Sequence, residues 1–446
     1  MNKLIYPLLF IIVFVFSSVY YEPIDLDILF TYTINDIVFG DFNAGDSKTI
    51  SKVALDYYNN SKFSEESIKV LGVWPPGMVY FQIFILNIFG LAAPMLFIQK
   101  IVGLISYLIF LLLFTKILKN SFLKKIVPFL YILIPYFAYN FFSSINISLV
   151  DPIAISFFLC GLLLLLNKKL YYLSSIFFIL SAYLRPQFEI IFSFSFGVLI
   201  ALFLFILIIK KIKTKEHSFY LMILKKLLII FLFFQALGLP QRYFIMSHYD
   251  YPVWTGSPKS QANVALRTSE DLDNNQFNFF VRGGGNVACV ISPNDCYKKE
   301  SSITTYLRIF LTNPVTWLNF KLSKIGDYWF SSYRSLTVPI NEFSKVSFVI
   351  NHILMILPFF NLCFLFFLYF KLSKTSSNNL VSQNTIIFLS MYFPLFFIHI
   401  LIFIFYHYEV RYFLLPKILS LVYFIVLIDK FILKESMTIK KKHIFK

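Results

Sequence analysis

Residues 188–209 read FEIIFSFSFGVLIALFLFILII, with one charge, Glu189, near the start and Lys210-Lys211 directly after. A helix crosses a hydrocarbon core of about 30 Å with about 20 consecutive apolar residues, and this stretch meets that requirement. Comparable runs occupy residues 4–20, 126–142, 227–239, 348–370, 385–406 and 412–428. In lipid only helices and closed barrels satisfy every backbone group, and continuous apolar runs lack the alternation of barrel strands. The composition agrees: 58% of the 446 residues are hydrophobic, 14% are charged, and mean hydropathy is +0.72. A soluble domain is nearer half apolar and a quarter charged. The expected class is an all-α polytopic membrane protein.

The net charge is +17, but its distribution does not favour nucleic acid. Lysines stand in short segments between apolar runs, at 116–125, 168–169, 210–226 and 371–374, and in the tail Lys440-Lys441-Lys442. Cytoplasmic loops carry this bias, so membrane lipids and no nucleic acid are the expected surroundings. Placing every basic segment inside leaves residues 21–76, a turn at 144–151, the Arg185 turn, 246–345 and 406–411 outside. Parity then allows residues 77–115 one crossing. Residues 78–89 are expected in or near the outer interface, and 91–114 across the bilayer. The outcome is about ten spans in the plasma (inner) membrane, with both termini cytoplasmic. Residues 152–166 and 170–184 are short for spans, so their turns are expected below the membrane surface. Residues 4–16 follow Lys3 as a signal peptide would; Ser17-Ser18-Val19-Tyr20-Tyr21 is a poor cleavage site, which favours a retained first span. The chain divides into an N-terminal membrane module with the first outer loop (1–245), a large outer loop with surface helices (246–345) and C-terminal membrane helices with a basic tail (346–446).

Cys160 and Cys363 fall in spans and read as packing residues. Cys289 and Cys296 fall in the large outer loop beside Gly283-Gly284-Gly285, where a disulfide suits an oxidising compartment.

Charges near a bilayer are costly, about 2.5–3.5 kcal/mol at the centre of a span, so each needs a reason. The outer-side charges are Asp36, Asp41, Asp46, Asp151, Arg185, Glu189, Arg242, Glu409 and Arg411. Asp46 is followed by apolar residues at Ile50, Val53, Ala54 and Tyr57, one face of an amphipathic helix expected to rest on the membrane surface. Asp46 after Gly45 also fits a plain helix cap, and a cap would hold a catalytic carboxylate rigidly. Trp74-Pro75-Pro76-Gly77 leads into the apolar stretch 78–89, prolines suiting a first helical turn. Asp151-Pro152 reads as a helix start, and Arg185-Pro186 as a turn in which Arg185 pairs with Glu189 or meets a phosphate. Asn313-Pro314 starts an outer surface helix. Gln235 and His399, polar within spans, read as packing residues.

The order of these landmarks resembles the GT-C glycosyltransferases that use a polyprenyl-phosphate sugar, such as protein O-mannosyltransferases and lipid A aminoarabinose transferases. In that family a first span leads to an outer loop with a carboxylate, an amphipathic helix, a Pro-Pro motif and a membrane helix ending in Phe-Gly. Here these are Asp46, Ala54, Trp74-Pro75-Pro76 and Phe89-Gly90. Asp151-Pro152, Leu184-Arg185-Pro186, Asn313-Pro314 and Arg411-Tyr412 with Pro416 are similar to later landmarks, so the likeness runs over most of the chain. Trp74 stands where some members have a lysine that meets the donor phosphate, so here that contact must come from elsewhere.

The resemblance implies transfer of a sugar from a polyprenyl-phosphate donor to a lipid, glycan or protein acceptor at the outer face, with inversion. Asp46 is the expected base. Asp151 orients the acceptor or shares a divalent cation, Mg or Mn, with Asp46. Arg185, Arg242 and Arg411 are the candidate cations for the leaving phosphate, with Trp74 and Glu409 completing the substrate-binding set. The rival expectations are a transporter or flippase of a lipid-linked saccharide, which calls for ionisable residues near mid-span, and a glycan polymerase or ligase, which differs in its donor.

Overall fold

A computed structural model of the chain describes residues 5–19, 26–40, 46–72, 76–130, 150–209, 214–249, 343–374, 382–405 and 414–432, with isolated positions between 311 and 322. The described residues form helices and their connections, with no strand among them. In chain order the helices are α1 (Ile5–Val19), α2 (Leu26–Thr31), α3 (Ile34–Phe39), α4 (Asp46–Asn60), α5 (Glu65–Leu71), α6 (Pro76–Phe89), α7 (Met95–Ile117) and α8 (Ser121–Ile126). They continue as α9 (Asp151–Leu165), α10 (Ser174–Leu184), α11 (Pro186–Ile209), α12 (Thr214–Tyr249), α13 (Phe343–Lys374), α14 (Gln383–Phe405) and α15 (Leu414–Leu427).

Four stretches are long and apolar enough to cross a membrane: Met95–Ile117, Gln187–Ile208, Ser218–His248 and Gln383–Leu401. Shorter apolar helices lie at Ile5–Val15, Pro76–Phe89, Asp151–Leu165, Tyr171–Leu184 and Ile353–Leu368. The expected spans beginning at 152 and 170 are indeed short. At 1.5 Å per residue the 15-residue α9 measures about 22 Å and the 11-residue α10 about 16 Å. The expected run 126–142 is described only to residue 130.

Packing explains the sequence pattern of α9. Of its residues only Phe157 escapes full burial, and a helix that is apolar all round belongs inside a bundle. It packs on α7 and α10; α10 then meets α11 and α12, α11 meets α14, and α13 meets α15. Gly161 lets the Phe178 ring of α10 lie against α9, since a methyl group there would come within 2.8 Å of the ring.

The sequence places the apolar face of α4 on the membrane surface; in the structure Ile50, Val53 and Ala54 are buried, and α4 packs on α3 and α6. α12 continues past residue 245 to Tyr249. α6 ends where the sequence suggested: Gly90 adopts φ +72°, a conformation glycine tolerates, and its N–H donates to the Leu86 carbonyl at 2.8 Å.

Several lysine-bearing helix ends are tied by polar caps. The Asp429 carboxylate accepts the backbone N–H of Lys119 at 2.9 Å and that of Asn120 at 2.7 Å. Asn384 donates to the carbonyls of Leu165 and Asn167, both at 2.8 Å, and accepts from the Lys226 ammonium at 2.6 Å. These bonds bring together the end of α9 and the start of α14 with Lys226 of α12, and separately the ends of α7 and α15.

Candidate functional site

At the Asp151 end of the bundle, charged residues from three helices and the break between α10 and α11 pair off. α9 opens with Asp151-Pro152, and its first turn presents a carboxylate whose helix start is fixed by proline. Between α10 and α11 the chain breaks at Arg185, whose extended backbone precedes Pro186. That break aims Arg185 back at α9, and its Nη2 donates to Asp151 Oδ2 at 2.5 Å. Both side chains are 7% exposed. A buried pair of this kind offers little net stability over apolar packing.

One turn along α11, Glu189 is fully buried and accepts from Arg242 of α12, with the Arg242 Nε at 2.9 Å. Arg242 Nη2 reaches the same carboxylate oxygen, and Nη1 donates to Gln235 Oε1 at 2.6 Å. Gln235 in turn donates to Ser193 Oγ at 3.4 Å. The sequence offered Arg185 a pairing with Glu189 or a contact with a phosphate; in the structure Arg185 meets the Asp151 carboxylate and Glu189 the Arg242 guanidinium. Two carboxylates and two guanidiniums therefore stand balanced in a mostly buried cluster.

The Pro-Pro motif reaches this cluster through α6. A methyl group at Gly77 would lie 2.8 Å from the Tyr183 carbonyl oxygen, so the start of α6 rests on the backbone that carries Arg185. Farther along α6, the Tyr80 hydroxyl donates to Gln241 Oε1 at 2.9 Å, beside Arg242. On its other side α6 meets α4, where Gln82 Nε2 donates to Ser51 Oγ at 3.0 Å. Asp46 begins α4. Pro240 lies inside α12, where it removes a backbone donor; in that turn the Leu237 carbonyl accepts from the Tyr183 hydroxyl at 2.8 Å.

The expected residues thus divide. Asp151 pairs with Arg185 and Glu189 with Arg242, and the helix that Asp46 opens packs against α6, which touches the chain beside Arg185 and Arg242. The side chain of Asp46 lies outside the described residues, as do Trp74, Glu409, Arg411, Cys289 and Cys296. Asp36, one of the outer-side charges, serves a local purpose: its carboxylate accepts the Thr33 N–H at 2.8 Å and closes the start of α3. Among the described residues no three His, Cys, Asp or Glu side chains gather as metal ligands. The described half of the expected carboxylate pair, Asp151, is matched by the Arg185 guanidinium.

Sequence reading missed Tyr80, Ser193 and Gln241, and took Gln235 for a packing residue where it accepts from Arg242. Gln235 stands seven residues before Arg242, two helical turns along one face, and that spacing was the signal that joined them. Lys100 and Lys417 are also buried within apolar helices. The chain matches no protein-family model, no curated protein and no solved structure.

Proposed function

We propose that this protein is an inverting glycosyltransferase, moving a sugar from a polyprenyl-phosphate donor to a lipid, glycan or protein acceptor at the outer face of the plasma membrane. One observation carries the reading: Pro76-Gly77, Asp151-Pro152 and Leu184-Arg185-Pro186, far apart in sequence, meet around two buried carboxylate–guanidinium pairs. They are the landmarks on which the resemblance to the GT-C transferases rests. The caps that join the lysine-rich helix ends support a topology with those ends inside and Asp151 outside.

The chemistry asked of the site is a displacement. The acceptor hydroxyl oxygen attacks the anomeric carbon, and its proton passes to the Asp46 carboxylate. The bond from anomeric carbon to phosphate oxygen breaks, and the electron pair leaves with the lipid phosphate. Negative charge grows on that phosphate, so fixed guanidiniums in a dry site favour the transition state. Asp151 and Glu189 act as positioning residues: each holds its arginine in place before the donor arrives, which removes a reorganisation cost from the reaction. Arg411 and Glu409, with Trp74, complete the substrate-binding set.

The test uses purified protein in proteoliposomes with radiolabelled polyprenyl-phosphate sugars and a membrane glycolipid extract. Label should move to a new product, and folded Asp46→Asn should lose about 10²–10⁴-fold in rate. The second reading is a transporter of a lipid-linked saccharide, favoured by the buried Lys100 and Lys417 in apolar helices. Folded wild type that carries the intact lipid between leaflets and never transfers label decides for transport.

A further inference from the structure

Gln241 is 4% exposed, and its two amide atoms are treated differently. Oε1 accepts the Tyr80 hydroxyl at 2.9 Å, whereas Nε2 is buried with no hydrogen-bond partner. Leaving such a donor unsatisfied costs about 1–3 kcal/mol, and a native protein keeps that cost where something else completes the bond. The next residue, Arg242, belongs to the cluster proposed to hold the donor phosphate.

The chemistry of the missing partner follows from what the pair offers. Gln241 Nε2 is a donor. The Tyr80 oxygen, having given its proton to Gln241, retains an acceptor lone pair. A group that accepts from Nε2 and donates to the Tyr80 oxygen closes a ring of three hydrogen bonds. An alcohol does both; a phosphate oxygen without a proton only accepts. Aromatic rings adjoin Tyr80: Phe63 lies 6.5 Å from it, and Phe244 at 6.1 Å and Tyr57, tilted at 4.6 Å, pack on Phe63. Tyr80 is itself 40% exposed, which gives a ligand an approach. Flat apolar rings beside a donor–acceptor pair suit a saccharide, whose C–H faces are apolar and whose rim carries hydroxyls.

We propose that Tyr80 and Gln241 read one hydroxyl of the donor sugar, flanked by the rings of Tyr57, Phe63 and Phe244. This inference rests on the transferase reading and names the residues that choose its sugar. It places the hydroxyl-reading pair on α6 and α12, apart from the base at the start of α4.

The experiment is a cycle between protein and substrate. Wild type in proteoliposomes is first given undecaprenyl phosphate carrying each common hexose, and the sugar it transfers fastest becomes the parent. Donors lacking the 2-, 3-, 4- or 6-hydroxyl of that sugar are then compared in wild type, Gln241→Leu and Tyr80→Phe. Removing the hydroxyl that is read should lower wild-type kcat/KM about 10-fold or more. Gln241→Leu should show a similar loss on the parent donor and almost none between the parent and that one deoxy donor. Tyr80→Phe, a gentler change on an exposed ring, should couple to the same position. Losses that multiply independently at every position overturn the inference and leave the transferase standing. Wild type that transfers no sugar overturns both.

Discussion

The two polar ends of this helical bundle use charge in opposite ways. Near Asp429, the carboxylate accepts backbone N–H groups of Lys119 and Asn120, groups that a chain turning between helices leaves without partners. Asn384 does the same for the carbonyls of Leu165 and Asn167. Every such bond closes a helix end. Near Asp151, charged side chains are matched with one another across helices, Asp151 with Arg185 and Glu189 with Arg242. Polar groups at the first end close helix termini, and those at the second tie helix to helix through paired charges.

The largest effect expected from this contrast is at Asp151. Asp151→Ala leaves Arg185 buried with its charge no longer matched by that carboxylate, and breaking such a pair costs about 3–5 kcal/mol. The double variant Asp151→Leu with Arg185→Met removes both charges and should recover most of the lost stability in thermal unfolding in detergent. Its transfer rate should stay at the background level. Recovery of activity together with stability breaks the contrast, because the pair would then be structural like Asp429.

Asp429→Ala tests the other end. A charged acceptor to backbone N–H groups contributes about 1.5–3 kcal/mol per bond, part of which water replaces. The expected cost is about 2 kcal/mol, with transfer per folded molecule unchanged. Asp429→Asn keeps an acceptor oxygen and should lose less. A fall in turnover of the folded variant would give Asp429 a role beyond capping.

Much of this contrast was legible in the sequence because membrane insertion makes each charge conspicuous. Asp151, Arg185, Glu189 and Arg242 stand out against apolar surroundings, and parity put them on one side. Their pairing was not legible. Arg185 and Glu189 are neighbours along the chain, yet the break at Arg185 aims its side chain toward α9, a direction set by tertiary packing. Gln235 stood out as polar but read as packing, and Gln241 went unmarked, for another reason. A neutral amide in an apolar run does not show its role until its partners, Arg242 and Tyr80, are brought to it. The burial of the α4 apolar face against α6 escaped likewise, since an amphipathic stripe fits a protein surface or a lipid surface equally well.

Gly77 links the two kinds of information, because it is a sequence motif whose reason is a contact. Gly77→Ala sets a methyl group 2.8 Å from the Tyr183 carbonyl oxygen and 3.1 Å from the Leu184 nitrogen, both backbone atoms with no rotamer to yield. Overpacking of this sort costs about 1–3 kcal/mol. Because the displaced backbone carries Arg185, turnover should fall more than stability predicts. A variant as active as wild type would detach the Pro-Pro motif from the arginine cluster.

The smallest effect is a pH dependence on the exposed side of α4, where charge is again spent on local structure. Asp56 accepts from the Ser67 hydroxyl at 2.5 Å and the Ser64 hydroxyl at 2.7 Å, tying α4 to α5. These bonds, Ser67 first and then Ser64, hold its carboxyl below the ordinary value of 3.8. A carboxylate whose pKa is depressed by folding contributes stability that is present above its unfolded value and lost as pH falls through the folded one. Wild type and Ser67→Ala should therefore differ in thermal stability near pH 5 and converge as pH drops well below 3.8. Solvent screening keeps the difference under about 1 kcal/mol. The Asp56 side-chain bonds run to Asn60, Ser64 and Ser67, so transfer measured at neutral pH should not change in Ser67→Ala. If it does, the α4–α5 junction also governs how the helix that begins at Asp46 is presented to the site.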